Sequence, residues 1–288
     1  MKKLFLILFF LINPAGPAGA FTLSHLDSPE SFIVDPEDGS YYVSNINGSP
    51  SAKDGNGYIS KIDAGGNTVI QHFIGGKKDE LLLNAPKGLA VVGENLFVTD
   101  IDAVKAFNKK TGKPAVIVDL SKLKARFLND SAADDRGVLY VSDTMTNQLF
   151  KIDTQKNYAA ALLKESGELG QPNGLLVNPK SKNLMVVTWG SGRLLEIDRS
   201  GRIHILKRGL KTLDGIDYDG QGNLYVSNYE KGEIYKIAFF GRGALTTLQG
   251  GLTTPADISY DRKKDELLIP SSKGNTVTTV PTGRKSTQ

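Results

Sequence analysis

Short apolar runs recur along this chain, and each ends in a cluster of Gly, Asn, Asp or Ser. Three of them align without a gap. Leu139-Tyr140-Val141-Ser142-Asp143 opens a segment reaching Asp153, Leu184-Met185-Val186-Val187-Thr188 one reaching Asp198, and Leu224-Tyr225-Val226-Ser227-Asn228 one reaching Ile237. Looser copies begin at Tyr41-Tyr42-Val43-Ser44-Asn45 and Leu96-Phe97-Val98-Thr99-Asp100, and a weaker one at Leu267-Leu268-Ile269. Apolar runs this short, bounded by turn residues, predict strands and not helices. In the fourth copy the pattern predicts strands over 174–178, 184–188, 193–198 and 202–207, separated by turns rich in Gly, Ser, Pro and Lys. A four-stranded unit repeated about every 42 residues is the pattern of a β-propeller. We therefore expect an all-β chain: a six-bladed β-propeller with four-stranded blades.

The sixth copy contains only three strands, at 257–260, 267–269 and 276–280. Its fourth is expected from residues 21–26, so that the N-terminal strand joins the last blade and closes the ring. Without that closure two sheet edges would stay bare. The first copy departs in another way. It has twelve residues, 46–57, between its second and third strands, where other copies have four. That insertion should overhang the face on which the inner strands begin.

The two ends of the chain read differently from its middle. Met1-Lys2-Lys3, the apolar run Leu4 to Ile12, Pro14 and the small residues up to Ala20 have the order of a secretory signal peptide. Residues 1–20 are therefore expected to be removed, leaving an exported periplasmic or extracellular protein. The apolar run is too short for a membrane span, which needs about 20 residues. Residues 283–288 read as a disordered tail, which leaves 21–282 as one domain. No cysteine occurs, so the fold is held by its core and not by disulfides. The formal charge of +4 includes Lys2 and Lys3; without them 33 basic residues face 31 acidic ones. With no Lys/Arg run either, nothing points to nucleic acid. A monomer acting on a small molecule is the simplest expectation.

Laid in register, the repeat also locates candidate chemistry. The residue just before the inner strand of each copy is, in order, Glu30, Lys87, Asn129, Asn173, Asp214 and Ala256. A propeller points equivalent positions of this kind at the mouth of its central channel. Two carboxylates and two amide oxygens form an all-oxygen set suited to one divalent cation, Ca²⁺ before Zn²⁺ or Mn²⁺. Asn-Gly and Asp-Gly pairs such as Asn173-Gly174 and Asp214-Gly215 are also common turn formers. Lys87 could instead pair with Glu30, or hold an anionic substrate. The ends of the second strands give another ring: Asn45, Asp100, Asp143, Thr188, Asn228 and Ser271. It is expected to form the pocket wall, with Trp189 and Tyr229 beyond it as stacking surfaces for a sugar ring or other flat ligand. The only histidines, His25, His72 and His204, fall in outer or closing segments, so a histidine base at the axis is not expected.

The steps Glu30-Ser31, Asn129-Asp130, Asn173-Gly174 and Asp214-Gly215 stand in the order found in the senescence-marker-protein/gluconolactonase (regucalcin-like) family of six-bladed propellers. Over about residues 21–282 the chain resembles that family. The resemblance implies one divalent metal held by Glu30, Asn129, Asn173 and Asp214, with Asp214 doubling as the base that activates water. It implies a metal-dependent hydrolase of a lactone or ester. Lys87, Arg126, Asp143, Trp189 and Asn228 are then the candidate substrate-binding residues. In the family an arginine stands two residues before the first of those Asn positions; here Arg126 stands three before Asn129. The segment Ala85-Pro86-Lys87-Gly88-Leu89-Ala90-Val91 also resembles NHL-repeat propellers. That likeness implies the alternative, a non-catalytic propeller binding a protein or glycan in the cell envelope.

Overall fold

The computed structural model describes residues 20–76 and 83–283, which form six four-stranded antiparallel sheets. Two short 3-10 turns, Ser121–Leu123 and Gly167–Leu169, are the only helical elements among the described residues. The chain is an all-β, six-bladed β-propeller. In each of the first five blades the strands run outward from the axis in chain order. The fourth blade consists of Pro172–Val177, Leu184–Thr188, Leu194–Ile197 and Ile203–Lys207, each end within two residues of expectation.

The sixth blade joins both ends of the chain. Ser259–Asp261, Glu266–Ser271 and Thr276–Pro281 are completed by Thr22–Leu23, with Thr22 opposite Thr278 and Leu23 opposite Val277. The closing strand is shorter than the expected 21–26. His25 and Ser28 adopt φ of 65° and 51°, and these left-handed residues turn the chain off the sheet edge. The expected signal segment 1–20 and tail 283–288 lie outside the described residues, except for their innermost residue. Among the described residues no helix is long and apolar enough to cross a membrane.

The core sits between blades. Each sheet packs one face against each neighbour, so middle strands such as Tyr41–Asn45, Leu184–Thr188 and Leu224–Asn228 are buried throughout. Burial on both faces explains why these strands read as continuous apolar runs and not as alternating ones. Outer strands such as Ile203–Lys207 are only half-buried. At the closing seam Phe21, Leu23, Leu268 and Val277 meet Phe32, Tyr41 and Val43 of the first blade.

One feature of the inner strands positions the site. In the first blade Pro29 pairs with Asn45, and the ladder then slips by one, so that Phe32 faces Val43. Glu30 and Ser31 thus form a β-bulge. The same slip follows Pro86, Leu128, Pro172 and Leu213. In the sixth blade the bridge from Pro255 to Ser271 is out of step with the Ser259–Leu268 pair by the same amount. The first bulge residue in each blade is the one singled out above.

The ring closes through Phe21, whose ring centroid lies 5.5 Å from that of Tyr41 and 6.3 Å from that of Phe32. Phe21→Ala should lower the unfolding free energy by about 3 kcal/mol in urea denaturation. A loss well below about 1 kcal/mol would show that the closing segment contributes little to holding the ring.

Candidate functional site

All six first bulge residues line one cavity of about 540 Å³ at the channel mouth. Each is buried, from Ala256 at 1% exposed to Glu30 at 7%. Glu30 Oε2, Asn129 Oδ1, Asn173 Oδ1 and Asp214 Oδ1 are buried without a hydrogen-bond partner among the described residues. A buried polar atom left unpaired costs about 1–3 kcal/mol, so four on one floor are a substantial uncompensated cost. Asn129 is held in this state by its neighbours. Its Nδ2 donates to Thr144 Oγ1 at 3.1 Å, and that hydroxyl donates to the carbonyl of Pro172 at 2.8 Å. The amide nitrogen is thus occupied at the wall while the oxygen stays unpaired.

The electrostatics point the same way. Burial pushes the Glu30 carboxyl well above its usual range, and the nearby charges of Asp214 and Asp257 push it further. Asp214 is raised by burial and by Asp257. Burial likewise lifts Asp257 to about 7, and Asp130, one residue along its bulge, is raised by burial and by Asp257. A cation on this floor would relieve the mutual repulsion. No three His, Cys, Asp or Glu side chains are arranged to hold a metal among the described residues, so a cation here would depend on the two amide oxygens as well. That donor set fits a hard, oxygen-loving ion.

Lys87 does not neutralise Glu30 through an ion pair. Its Nζ donates to the carbonyls of Pro50 and Ala85 at 2.8 and 3.0 Å and lies 4.4 Å from the centroid of the Phe127 ring. Burial depresses its pKa to about 8, against the opposing pull of Glu30, Asp100 and Asp143. Pro50 belongs to the insertion, which does overhang the mouth: Ile46, Gly48 and Pro50 line the cavity. It is tied down by Lys87, by a Lys53–Asp102 ion pair and by Asn47 Nδ2 bonding to the carbonyl of Asn56 at 2.9 Å.

Trp189 and Tyr229 line the cavity as expected, with ring centroids 5.3 Å apart and planes at 57°. Arg126, Asp143 and Asn228 do not line it. Asp143 is fully buried and accepts the backbone N–H groups of Arg126, Phe127, Met145 and Thr146. Those bonds hold the loop so that Arg126 is exposed while Phe127 faces the cavity. Asn228 is likewise occupied, accepting from Thr212 Oγ1 and Lys231 N and donating to the Lys211 carbonyl. Asn45, Asp100 and Ser271 also bond to the loop leading into their own inner strand. The expected wall is therefore displaced by one residue. Ile46, Thr144, Trp189, Tyr229 and Ser272, each directly after its strand end, form it.

Two buried carboxylates beside the site were not among the expected site residues: Asp130, second member of the Asn129-Asp130 step, and Asp257, each the second bulge residue of its blade. Asp257 Oδ2 accepts from Ser31 Oγ at 2.6 Å, joining the last blade to the first. Asp130 Oδ2 accepts from Leu175 N at 2.6 Å, joining the third blade to the fourth. The equivalent residue is glycine in the second, fourth and fifth blades, because a Cβ there would lie 2.5 Å from Asp130 Cα, 2.2 Å from the Asp214 carbonyl oxygen and 2.2 Å from Ile258 N respectively. Close approach, not turn formation, thus accounts for Asn173-Gly174 and Asp214-Gly215. His72 and His204 lie on outer strands and His25 beyond the closing strand, and none lines the cavity.

No family model matches the chain, and no curated protein matches it. Its backbone is similar to solved propellers. A protein of unknown function from Bacteroides thetaiotaomicron superposes with a TM-score of 0.68 at 14% identity, covering 89% of this chain and 70% of that one. Virginiamycin B lyase from Staphylococcus aureus superposes with a TM-score of 0.62 at 11% identity, covering 91% and 98%. A catalytically inactive form of that lyase with quinupristin gives 0.63 at 13% identity over the same shares. At these identities the likeness is one of fold.

Two outcomes follow from this geometry. Asp143→Ala should leave four backbone donors without their acceptor and destabilise the protein by more than about 2 kcal/mol in chemical denaturation. A stable variant would show that the carboxylate does not hold the loop. The second outcome concerns pH. A carboxyl whose folded-state pKa lies above its unfolded value favours the folded state only while protonated. Metal-free protein should therefore lose stability as pH rises from about 4, through the unfolded range, to about 7, where Asp257 titrates. Calorimetry in a chelator would show a falling Tm across that window; a rising Tm would contradict it.

Proposed function

We propose that this chain is a metal-dependent hydrolase of the gluconolactonase type, acting on a lactone or related ester at the channel mouth. The observation that carries the reading is the set of four buried oxygens, on Glu30, Asn129, Asn173 and Asp214, that lack a hydrogen-bond partner among the described residues. These residues would hold one divalent cation, Ca²⁺ by preference and Zn²⁺ or Mn²⁺ as alternatives. When bound, such an ion polarises a carbonyl and stabilises the oxyanion that develops on it.

The rest falls to the chain itself. Asp214 is the proposed base: water adds to the carbonyl carbon as its proton passes to the carboxylate. The ring or ester C–O bond then breaks, and that proton returns to the leaving oxygen, giving a hydroxy acid or an acid and an alcohol. Asn129 is kept from turning by Thr144, so the floor is set before substrate arrives. The insertion and the Trp189–Tyr229 pair border the cavity and shield part of it from water. In the same reading the chain is exported through residues 1–20 and works as a monomer on a small molecule.

Calorimetric titration with CaCl₂ tests this directly. Wild type should bind one ion per chain, and Asp214→Ala should weaken binding by more than ~100-fold, as expected when a ligand itself is removed. The calcium-loaded protein should hydrolyse members of a lactone and aryl-ester panel, with Asp214→Ala inactive. Absence of binding by Ca²⁺, Zn²⁺ and Mn²⁺ would overturn the proposal and leave the recognition-propeller alternative.

A further inference from the structure

Two kinds of surface line the cavity beside the oxygen set. One is polar, from Ser28, Thr144, Gln171, Ser272 and Lys273. The other is apolar, from Ile46, Pro50, Phe127, Met145, Trp189 and Tyr229. Four of these, Phe127, Met145, Trp189 and Tyr229, belong to none of the apolar clusters packed between blades. Met145 is 62% exposed. Apolar groups of this size that add nothing to the core are available to a ligand.

Two of the polar groups beside the apolar surface are already engaged. Thr144 Oγ1 accepts from Asn129 and donates to Pro172. Lys87 Nζ is held by two backbone carbonyls against the Phe127 ring. Among the described residues no guanidinium lines the cavity, and Arg126 is exposed outside it. A polyhydroxylated ring seated against Phe127, Met145, Trp189 and Tyr229 would set hydroxyls against aromatic faces and a thioether, which cannot replace the water those hydroxyls lose. A flat apolar group would meet the tilted Trp189–Tyr229 pair and the adaptable Met145 side chain, both favourable contacts. The cavity volume of about 540 Å³ suits a ligand of modest size.

We infer that the substrate is a lactone or ester whose non-reacting part is a flat apolar group, seated against Trp189, Tyr229, Phe127 and Met145, and not a sugar lactone. This rests on the hydrolase reading above and names its substrate class.

Trp189 is the only tryptophan of the chain, so its emission reports occupancy of the cavity independently of turnover. Calcium-loaded protein is titrated with a phenyl-substituted γ-butyrolactone and, separately, with gluconolactone, and hydrolysis of both is followed. The phenyl lactone should give a saturable change in Trp189 emission and a kcat/KM at least ~10-fold above that of gluconolactone. Trp189→Ala should raise KM for the phenyl lactone about tenfold while leaving Ca²⁺ affinity within about twofold. Met145→Ala, at an exposed position that does not endanger folding, should raise it severalfold. Preference for gluconolactone, or a phenyl-lactone KM unmoved in both variants, overturns this inference while leaving the hydrolase reading intact. Loss of Ca²⁺ binding in wild type would instead sink the hydrolase reading. If neither lactone is turned over, saturable emission change with the phenyl lactone alone supports an apolar site, and its absence overturns it.

Discussion

In five blades the inner strand pairs its first residue with the end of the second strand and then slips by one before the ladder resumes, and in the sixth the isolated Pro255–Ser271 bridge precedes the same slip. Side chains in a regular strand alternate between faces, so an uninterrupted ladder would present only one of two neighbours to the axis. The bulge presents both to different tasks. The first residue enters the channel mouth, and the second meets a neighbouring blade. Ser31 bonds Asp257, Asp130 bonds Leu175 N, and Gly174 and Gly215 let a neighbouring backbone come close. Hydroxyls at the end of the second strands reinforce the seam. Ser142 accepts from Asp130 N and donates to the Asn173 carbonyl, and Ser227 does the same between Gly215 N and the Ala256 carbonyl.

Because both sides of each bulge are bonded, the floor cannot relax to pair its own oxygens. Glu30 and Asp214 are kept buried and mutually repelling, and Asn129 is turned so that its amide nitrogen is already engaged. Lys87, the one cation of the ring, is drawn aside to Pro50 and Ala85 and stacked over Phe127. The ring thus remains rich in acceptors even though it contains an ammonium group. Such preorganisation is what a binding floor needs, since the protein does not have to rearrange when charge arrives.

The fold was legible because two-faced burial of the middle strands writes the same apolar run into every blade. Ring closure was legible from a missing strand, although only Thr22 and Leu23 pair, the left-handed residues His25 and Ser28 ending the strand early. The floor could be read because a bulge at a fixed place keeps equivalent residues in step. The wall could not. Asp143 and Asn228 end their strands fully buried, where bonds to loop backbone occupy them, and the following residue is the one released to the cavity. Arg126 illustrates the same limit. Which of Arg126 and Phe127 enters the cavity is decided by the grip of Asp143 on their N–H groups, a contact across 17 residues that no local pattern records. The length of the insertion was visible, but not that Lys87 would hold it.

The central claim is that the four unpaired oxygens face a cation. Terbium, a luminescent oxygen-seeking stand-in for Ca²⁺, tests it through the single tryptophan that lines the same cavity. Excitation of Trp189 should produce sensitised terbium emission that saturates at one ion per chain, is displaced by Ca²⁺ and is lost in Glu30→Gln. Emission that fails to appear, ignores Ca²⁺ or survives that substitution would contradict the account.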